Sequence, residues 1–342
     1  GVYKLHEDYS QLFLVKAIDS EEPIFYIPRT IQSADVEDYI RADWVRDQLP
    51  RNASGWGSFN PSWDLFASYV CTDGLPIDES PLFDPTEPFL NRDPRLSMTI
   101  VPFGSEWLGY EYNPHPNAKQ VMNYTTGQMV NNQDTRSVAQ YASYTGLLWK
   151  KGIDITWTQN GFKAEPDLLV MRYADVLLMY AEAKIELNQI DQSVLDAMNQ
   201  VRARAYGVDK AETTKYPAFT STSQSELRIQ LRTERRMEFA KENLRYMDLI
   251  RWRYSEIVMK RKSYGMLYPT DKLISEIVDK GEWFWPYAPD IDENGLPNFS
   301  KLEADGKILP LTQRLWDDRQ YLWPIPSTEV QINENMKQNT GY

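Results

Sequence analysis

The chain has 342 residues, 42% of them hydrophobic and 25% charged, a composition that fits one large globular domain or two ordinary ones. Its formal net charge of -12 excludes nucleic acid as an expected partner, because an acidic surface repels phosphate backbones. One cysteine and two histidines exclude zinc sites of the Cys/His kind. No apolar run reaches the roughly 18 residues that a membrane-spanning helix needs.

The first half of the chain predicts long loops with a few short helices and strands. The segment from Ile24 to Arg29 predicts a short strand, and Gly, Pro, Asn and Asp punctuate residues 50–165. A helix is expected after Asn60, with Asn60 as its cap and Pro61 in its first turn.

The chain also holds 11 Trp, 21 Tyr and 12 Phe, many of them in these loops. For any single aromatic residue, packing a loop onto the core is the more common role, and ligand stacking is the alternative.

Strong helical patterns begin at about residue 166. The segment from Pro166 to Leu187 predicts a helix with two apolar stripes, and residues 192–205 predict a second helix that Gly207 ends. One stripe consists of Met171, Ala174, Leu178, Ala181 and Ile185, and the other of Tyr173, Leu177 and Tyr180. The short connection predicts an antiparallel pair, which is the unit of a tetratricopeptide-like solenoid.

Two further helices are predicted, one capped by Ser225 and one from about Leu244 to Lys260, before loops return in residues 262–320. No low-complexity linker separates these parts. We therefore expect one domain over residues 1–342, with a loop-rich region up to residue 165 and a helical region after it. The predicted fold class is mainly α, a tetratricopeptide-like platform with long irregular loops and a few short strands.

Three blocks in the second half of the chain resemble the SusD/RagB family. They read MRYADVLLMYAEAKIEL…AMNQVRARA, LRTERRMEFAKENLRYMDLIRW and YLWPIPSTEVQINENMKQNTGY, in this order and up to the last residue. The segment from Gly55 to Ile77 resembles a looser block that lies upstream in the family. The resemblance covers roughly residues 1–342, sharply from about residue 165 and loosely before it.

The resemblance implies a binding protein on the outer face of the outer membrane, not an enzyme. Such a protein captures a nutrient, most often a glycan, and delivers it to a SusC-type TonB-dependent transporter. Family members are longer at the N-terminus, where they carry a signal peptide, a lipid-attachment cysteine and the first tetratricopeptide units. None of these is in this sequence, and Cys71 lies inside the body, so it is not the lipid-attachment residue. We therefore expect the sequence to be the C-terminal portion of a lipid-anchored protein, or one of two chains. A peptide binder of the RagB type and a surface glycoside hydrolase are the alternatives.

The charged residues of the motif blocks are predicted to lock helices together. Residues one turn apart are neighbours on a helix, and arginine binds carboxylates with two parallel hydrogen bonds. The set comprises Glu234, Arg235, Arg236, Glu238, Arg245, Asp248 and Arg251, and we interpret Arg172, Tyr173 and Asp175 in the same way. No Gly-rich phosphate loop or zinc-protease motif occurs, so no catalytic residue is predicted.

The predicted ligand site combines flat aromatic rings with amide side chains. Sugar rings have apolar faces ringed by hydroxyl groups, which such a surface complements. The candidates are Trp107, Tyr110, Tyr112 and Asn113 in the segment SEWLGYEYNPHPN, then Trp56, and then Trp283 and Trp285. The resemblance implies a glycan site in loops of this middle region, but it does not transfer exact residues because those loops vary.

One acidic turn has a calcium-like spacing. Asp290, Asp292 and Asn294 alternate before Gly295, which matches the first half of a calcium loop. The twelfth position is Lys301, where a bidentate glutamate belongs. We therefore interpret the segment as an ordinary acidic turn and predict no cofactor, with calcium as the alternative.

Overall fold

A computed structural model describes residues 2–32 and 39–342. Its α-helices are α1 Ala42–Gln48, α2 Trp63–Ser68, α3 Arg95–Thr99, α4 Thr156–Gln159, α5 Tyr173–Glu186, α6 Gln192–Ala205, α7 Gln224–Glu238, α8 Arg245–Arg251, α9 Ser255–Val258, α10 Thr270–Glu276, α11 Ser300–Ala304 and α12 Ser327–Ile332. Short 3-10 helices are formed by Gln11–Phe13, Ala17–Asp19, Arg51–Ala53, Val278–Lys280 and Asp318–Tyr321. Within these described ranges, no helix has the length and apolar character needed to cross a bilayer.

The strands form small antiparallel sheets between the helices. They are β1 Pro23–Ile27, β2 Ser105–Trp107, β3 Tyr110–Tyr112, β4 Gln120–Asn123, β5 Gln128–Asn131, β6 Leu168–Arg172, β7 Lys262–Gly265, β8 Asp290–Ile291, β9 Pro297–Asn298 and β10 Leu309–Gln313. Strands β2 to β5 form one sheet in sequence order, and β1 pairs with β6, β7 with β10 and β8 with β9. The fold is therefore mixed, which corrects the mainly helical expectation; the tetratricopeptide-like arrangement stays a prediction.

The boundary between β6 and α5 differs from the prediction. The segment after Pro166 first extends, because Leu168–Arg172 pairs with β1, and the helix begins only at Tyr173. Met171 lies in that strand and is 39% exposed, so it does not belong to the buried stripe. The rest of that stripe is confirmed as buried: Ala174, Leu178, Ala181 and Ile185 pack with α6 and α7 in one core cluster.

Other helix ends also shift by a few residues. Ser62 caps α2 in place of Asn60, and Ser223 caps α7 in place of Ser225. The helix predicted from Leu244 to Lys260 is two short helices, α8 and α9. Arg253 stands between them in the left-handed region with φ 55°, which a continuing helix cannot accommodate.

The centre of the molecule is a buried network of carboxylates and arginines. Glu238 at the end of α7 pairs with Arg95 at 2.9 Å, with Arg172 at 2.7 Å and with Arg204. One turn earlier, Glu234 pairs with Arg95 at 2.8 Å and with Arg202 at 2.6 Å. All of these side chains are at most 5% exposed. The locking role predicted for the two glutamates is confirmed.

The same network reaches segments that are distant in sequence. Arg172 also pairs with Glu22 at 2.6 Å and with Glu242 at 2.7 Å, so it links the chain beside β1 to the end of α7. Arg235 pairs with Asp175 of α5 at 2.7 Å and with Asp248 of α8 at 3.0 Å. These ion pairs hold four parts of the chain in one arrangement: the segment beside β1, and helices α5, α7 and α8.

Replacing Glu238 by Gln should destabilise the protein by about 3–5 kcal/mol, because three buried arginines lose their shared partner. Burial raises the pKa of Glu238, but Arg204, Arg172 and Arg95 outweigh it and hold the pKa well below the usual 4.5. The network's contribution is therefore complete above about pH 4.5 and is lost as the pH falls through the lower folded pKa. Urea unfolding at pH 7 and at decreasing pH measures both effects.

The matched control is Glu276→Gln, which removes an exposed pair with Lys280 one helical turn away. Such surface pairs contribute little in water, so this variant should unfold at the wild-type urea concentration. Equal unfolding midpoints for Glu238→Gln and Glu276→Gln would contradict the central role of the network.

Candidate functional site

Two of the predicted ligand-contacting aromatics belong to the core. Trp285 is fully buried, with its ring centroid 5.5 Å from those of Trp63 and Phe66. Tyr112 is 1% exposed and its hydroxyl donates a hydrogen bond to the Gly146 carbonyl at 2.8 Å. Neither ring has a free face, so both are removed from the candidate set. The sequence shows that these residues are aromatic, but it does not show that they face the core.

Trp107 and Tyr110 face each other across strands β2 and β3 and are both partly exposed. The Trp107 ring packs against the cluster around Val101 and Tyr112, with the Lys150 ammonium 5.8 Å from its centroid. Its indole N–H is buried without a hydrogen-bond partner among the described residues. Trp107 therefore has both a packing role and an unused donor, and its contact with ligand stays a prediction.

The segment from Asn131 to Asp134 joins two of the predicted candidate loops. The Asp134 carboxylate accepts hydrogen bonds from the backbone N–H groups of Arg51 at 2.7 Å and Asn52 at 3.1 Å, next to the Trp56 loop. The Asn132 amide donates to the carbonyl of Asn113 at 2.7 Å. Burial raises the pKa of Asp134 to about 6, against the opposing effect of the two N–H donors.

A third candidate loop joins the same surface through His115. The His115 backbone N–H donates to the Asn113 side chain at 3.1 Å, and its ring lies edge-on to Trp283 with centroids 4.9 Å apart. Trp56 is 41% exposed in its loop, whereas Trp283 is partly covered. Contacts through Asp134, Asn132 and His115 thus connect the loops that carry Trp56, Asn113 and Trp283. We call residues 51–59, 113–118, 131–146, 266–270 and 282–285 the loop face.

The loop face contains an arginine stack that sequence reasoning missed. The Arg136 guanidinium carbon lies 4.1 Å from the Tyr144 ring centroid and 4.5 Å from that of Tyr268. Both tyrosines are largely accessible, 40% and 49% exposed, while Arg136 is 9% exposed. Its Nε and Nη1 atoms are buried with no hydrogen-bond partner in the described chain. Arg136 and Tyr144 lie in one segment, whereas Tyr268 is more than 120 positions away, so no spacing in the sequence links all three.

A cationic cavity of about 440 Å³ lies beside α7 and α8. The charged residues that line it are Asp64, Arg235, Arg236, Lys241, Arg245, Asp248, Arg261 and Arg314. Arg236 and Arg245 form no ion pair within residues 2–32 and 39–342, so the helix-locking interpretation does not extend to them. Burial and the charge of Arg236 lower the pKa of Arg245 to about 9, and burial and Lys151 lower that of Lys241 to about 7.

The acidic turn is stabilised by its own hydrogen bonds. Asp292 accepts a hydrogen bond from the Asn294 backbone at 2.9 Å and pairs with Arg261, and the Asn294 side chain accepts the Tyr254 hydroxyl at 2.6 Å. Asp290 is exposed in β8. In the part of the chain that is described, no three His, Cys, Asp or Glu side chains are grouped to hold a metal. Calcium binding stays an untested alternative.

Comparison with known proteins identifies the family. The family model of the SusD family matches residues 21–342. A SusD-like carbohydrate binding protein from Bacteroides fragilis is 28% identical with a TM-score of 0.71, over 98% of this chain and 58% of that one.

A second SusD-like protein from that species is 24% identical with a TM-score of 0.63, over 99% of this chain and 59% of that one. A SusD homolog from Bacteroides thetaiotaomicron is 19% identical with a TM-score of 0.54, over 100% and 56%. The chain therefore spans less than two thirds of the length of these proteins. No curated protein matches it. The chain belongs to the SusD family and has a SusD-like fold.

Proposed function

We propose that the protein captures a glycan at the cell surface and passes it to a SusC-type TonB-dependent transporter of the outer membrane, where a lipid anchor holds it. Family membership supports this role, and so does the likeness to a SusD-like carbohydrate binding protein. The observation that carries the proposal is the loop face, which presents exposed aromatic rings beside amide groups. Because sugars combine apolar ring faces with hydroxyl rims, this surface has the chemistry to bind them.

The anchoring of the loop face favours binding. Its loops are tied by buried hydrogen bonds at Asp134 and Asn132. A ligand that meets loops already held in place loses less affinity to ordering them. Trp56 is the most direct candidate contact on this surface, and Trp107 stays a second one because its ring is partly exposed.

The role is one of binding, without catalysis. A glycosidase needs one carboxylic acid that can donate a proton beside a second carboxylate at the scissile bond. The motif carboxylates Glu234 and Glu238 are buried and paired with arginines, far from any free surface. A peptide binder is the second candidate, because exposed aromatic rings and amides also suit peptide side chains and backbone.

Calorimetric titration of the chain with oligosaccharides and with peptides tests the ligand class. We expect a glycan to bind without turnover, and Trp56→Ala to weaken it about tenfold through the loss of one stacking contact, about 1.4 kcal/mol. Trp323→Ala is the matched control, since Trp323 is also exposed but lies outside the loop face. Binding of peptides alone, or release of hydrolysis products, would contradict the proposal. Equal affinity after Trp56→Ala would place the site elsewhere.

The transporter half of the proposal is tested on the whole protein in its native membrane. We expect a TonB-dependent transporter to co-purify with the affinity-tagged protein after mild detergent extraction, because delivery requires direct contact. The control is an unrelated tagged lipoprotein from the same cells. Recovery of the tagged protein without any such transporter, also after chemical cross-linking, would contradict the partner assignment.

A further inference from the structure

The Arg136 stack has an unmet requirement for an anion. Arginine stays protonated in proteins and carries five N–H donors in one plane. In Arg136 two of the nitrogen atoms are buried without an acceptor, and no ion pair of the described chain includes this residue. Burying a charged donor without a partner is costly, so an arrangement of this kind indicates a missing acceptor.

The guanidinium is not needed to hold its two loops together. The backbone N–H of Met266 already donates to the Tyr144 carbonyl at 2.9 Å. The Thr270 hydroxyl donates to the Arg136 carbonyl at 3.4 Å, which adds a second link between the same loops. The position of the Arg136 side chain therefore calls for an explanation other than loop attachment.

The geometry of the stack limits how a ligand can reach the cation. The rings of Tyr144 and Tyr268 lie 4.1 and 4.5 Å from the guanidinium carbon, and Nε and Nη1 are buried, so a ligand can reach the cation only through Nη2. A charge-assisted hydrogen bond from a guanidinium nitrogen to an oxyanion is about twice as strong as one to a neutral hydroxyl. The rings also hold the side chain in place before binding, which reduces the entropy lost on binding.

The overall negative charge of the protein makes Arg136 a specific point of attraction for an anionic ligand. With a formal net charge of -12, the surface as a whole repels anions. An acidic ligand would therefore bind where a specific arginine compensates, and general adsorption is disfavoured. The adjacent tyrosines offer accessible ring area beside that point.

We propose that Arg136, Tyr144 and Tyr268 form a subsite for an acidic sugar residue, whose carboxylate or sulfate ester accepts a hydrogen bond from Nη2 of the Arg136 guanidinium. The inference rests on the proposed function, since it assigns a ligand class to the loop face. The tyrosines confine the cation and contribute ring surface next to the charged group. The protein then prefers acidic glycans over neutral glycans of the same size.

Matched pairs of ligands test the subsite on the wild-type chain. Calorimetry compares trigalacturonate with its methyl ester, and a sulfated galactan oligosaccharide with its desulfated form, at constant ionic strength. We expect at least one acidic member to bind about tenfold more tightly than its neutral partner, and the pair that shows the difference identifies the anion. Equal affinity within both pairs overturns the subsite. Binding of neutral glycans alone overturns only the subsite, whereas no binding of any glycan refutes the proposed function itself.

Two variants test whether Arg136 causes the preference for acidic glycans. Arg136→Met keeps an unbranched side chain between the rings and should abolish the preference for the acidic member. Arg232→Met is the matched control, because Arg232 lies between the rings of Trp252 and Tyr254, at 5.1 and 4.5 Å, outside the loop face. Retention of the preference in Arg136→Met, or its equal loss in Arg232→Met, overturns the assignment. If Arg136→Met does not fold, Arg136→Lys replaces it, with a reduced preference expected because the flexible lysine ammonium lacks the planar group that stacks with the two rings.

Discussion

The buried pairing of Glu234 and Glu238 with arginines is the interaction on which the rest of the structure depends. Arg95 contacts both glutamates, so α3 in the loop-rich half is bound directly to α7 in the motif region. Arg172 and Arg204 connect β6 and α6 to the same point. Removing one member of such a network leaves several charges buried without a partner, which is far more harmful than losing one surface pair.

This network separates the part of the protein that sets its shape from the part that meets ligand. Glu234 and Glu238 are fully buried, where they cannot contact a glycan. The loop face draws on segments that are irregular in backbone but held by hydrogen bonds at Asp134 and Asn132. Such a division allows loops to change between relatives while the frame stays the same, since loops tolerate replacement better than a buried charge network does.

The sequence predicted correctly those features that depend on residues within a turn or two of one helix. The apolar stripe of α5 and the inward role of Glu234 and Glu238 followed from helical spacing, which one turn of sequence displays. Met171 was misplaced because strand pairing with β1 depends on a segment almost 150 residues earlier, which periodicity cannot show. Whether Arg236 forms an ion pair likewise depends on its neighbours in space, and among the described residues it forms none.

The candidate site was less predictable than the frame. Trp285 and Trp56 both stand in loops rich in aromatics, yet one is in the core and the other on the surface. Burial of a loop residue depends on how distant segments close over it, which composition does not encode. The Arg136 stack joins residues more than 120 positions apart, so only the folded chain reveals it.

We expect ligand to bind the loop face, while the motif helices stabilise the fold without contacting the ligand. Hydrogen–deuterium exchange of the chain, with and without a saturating oligosaccharide that binds it, tests this directly. We expect slowed exchange to be concentrated in the loop face, that is, in residues 51–59, 113–118, 131–146, 266–270 and 282–285. Slowed exchange concentrated in α5 to α8, with the loop face unchanged, would contradict it.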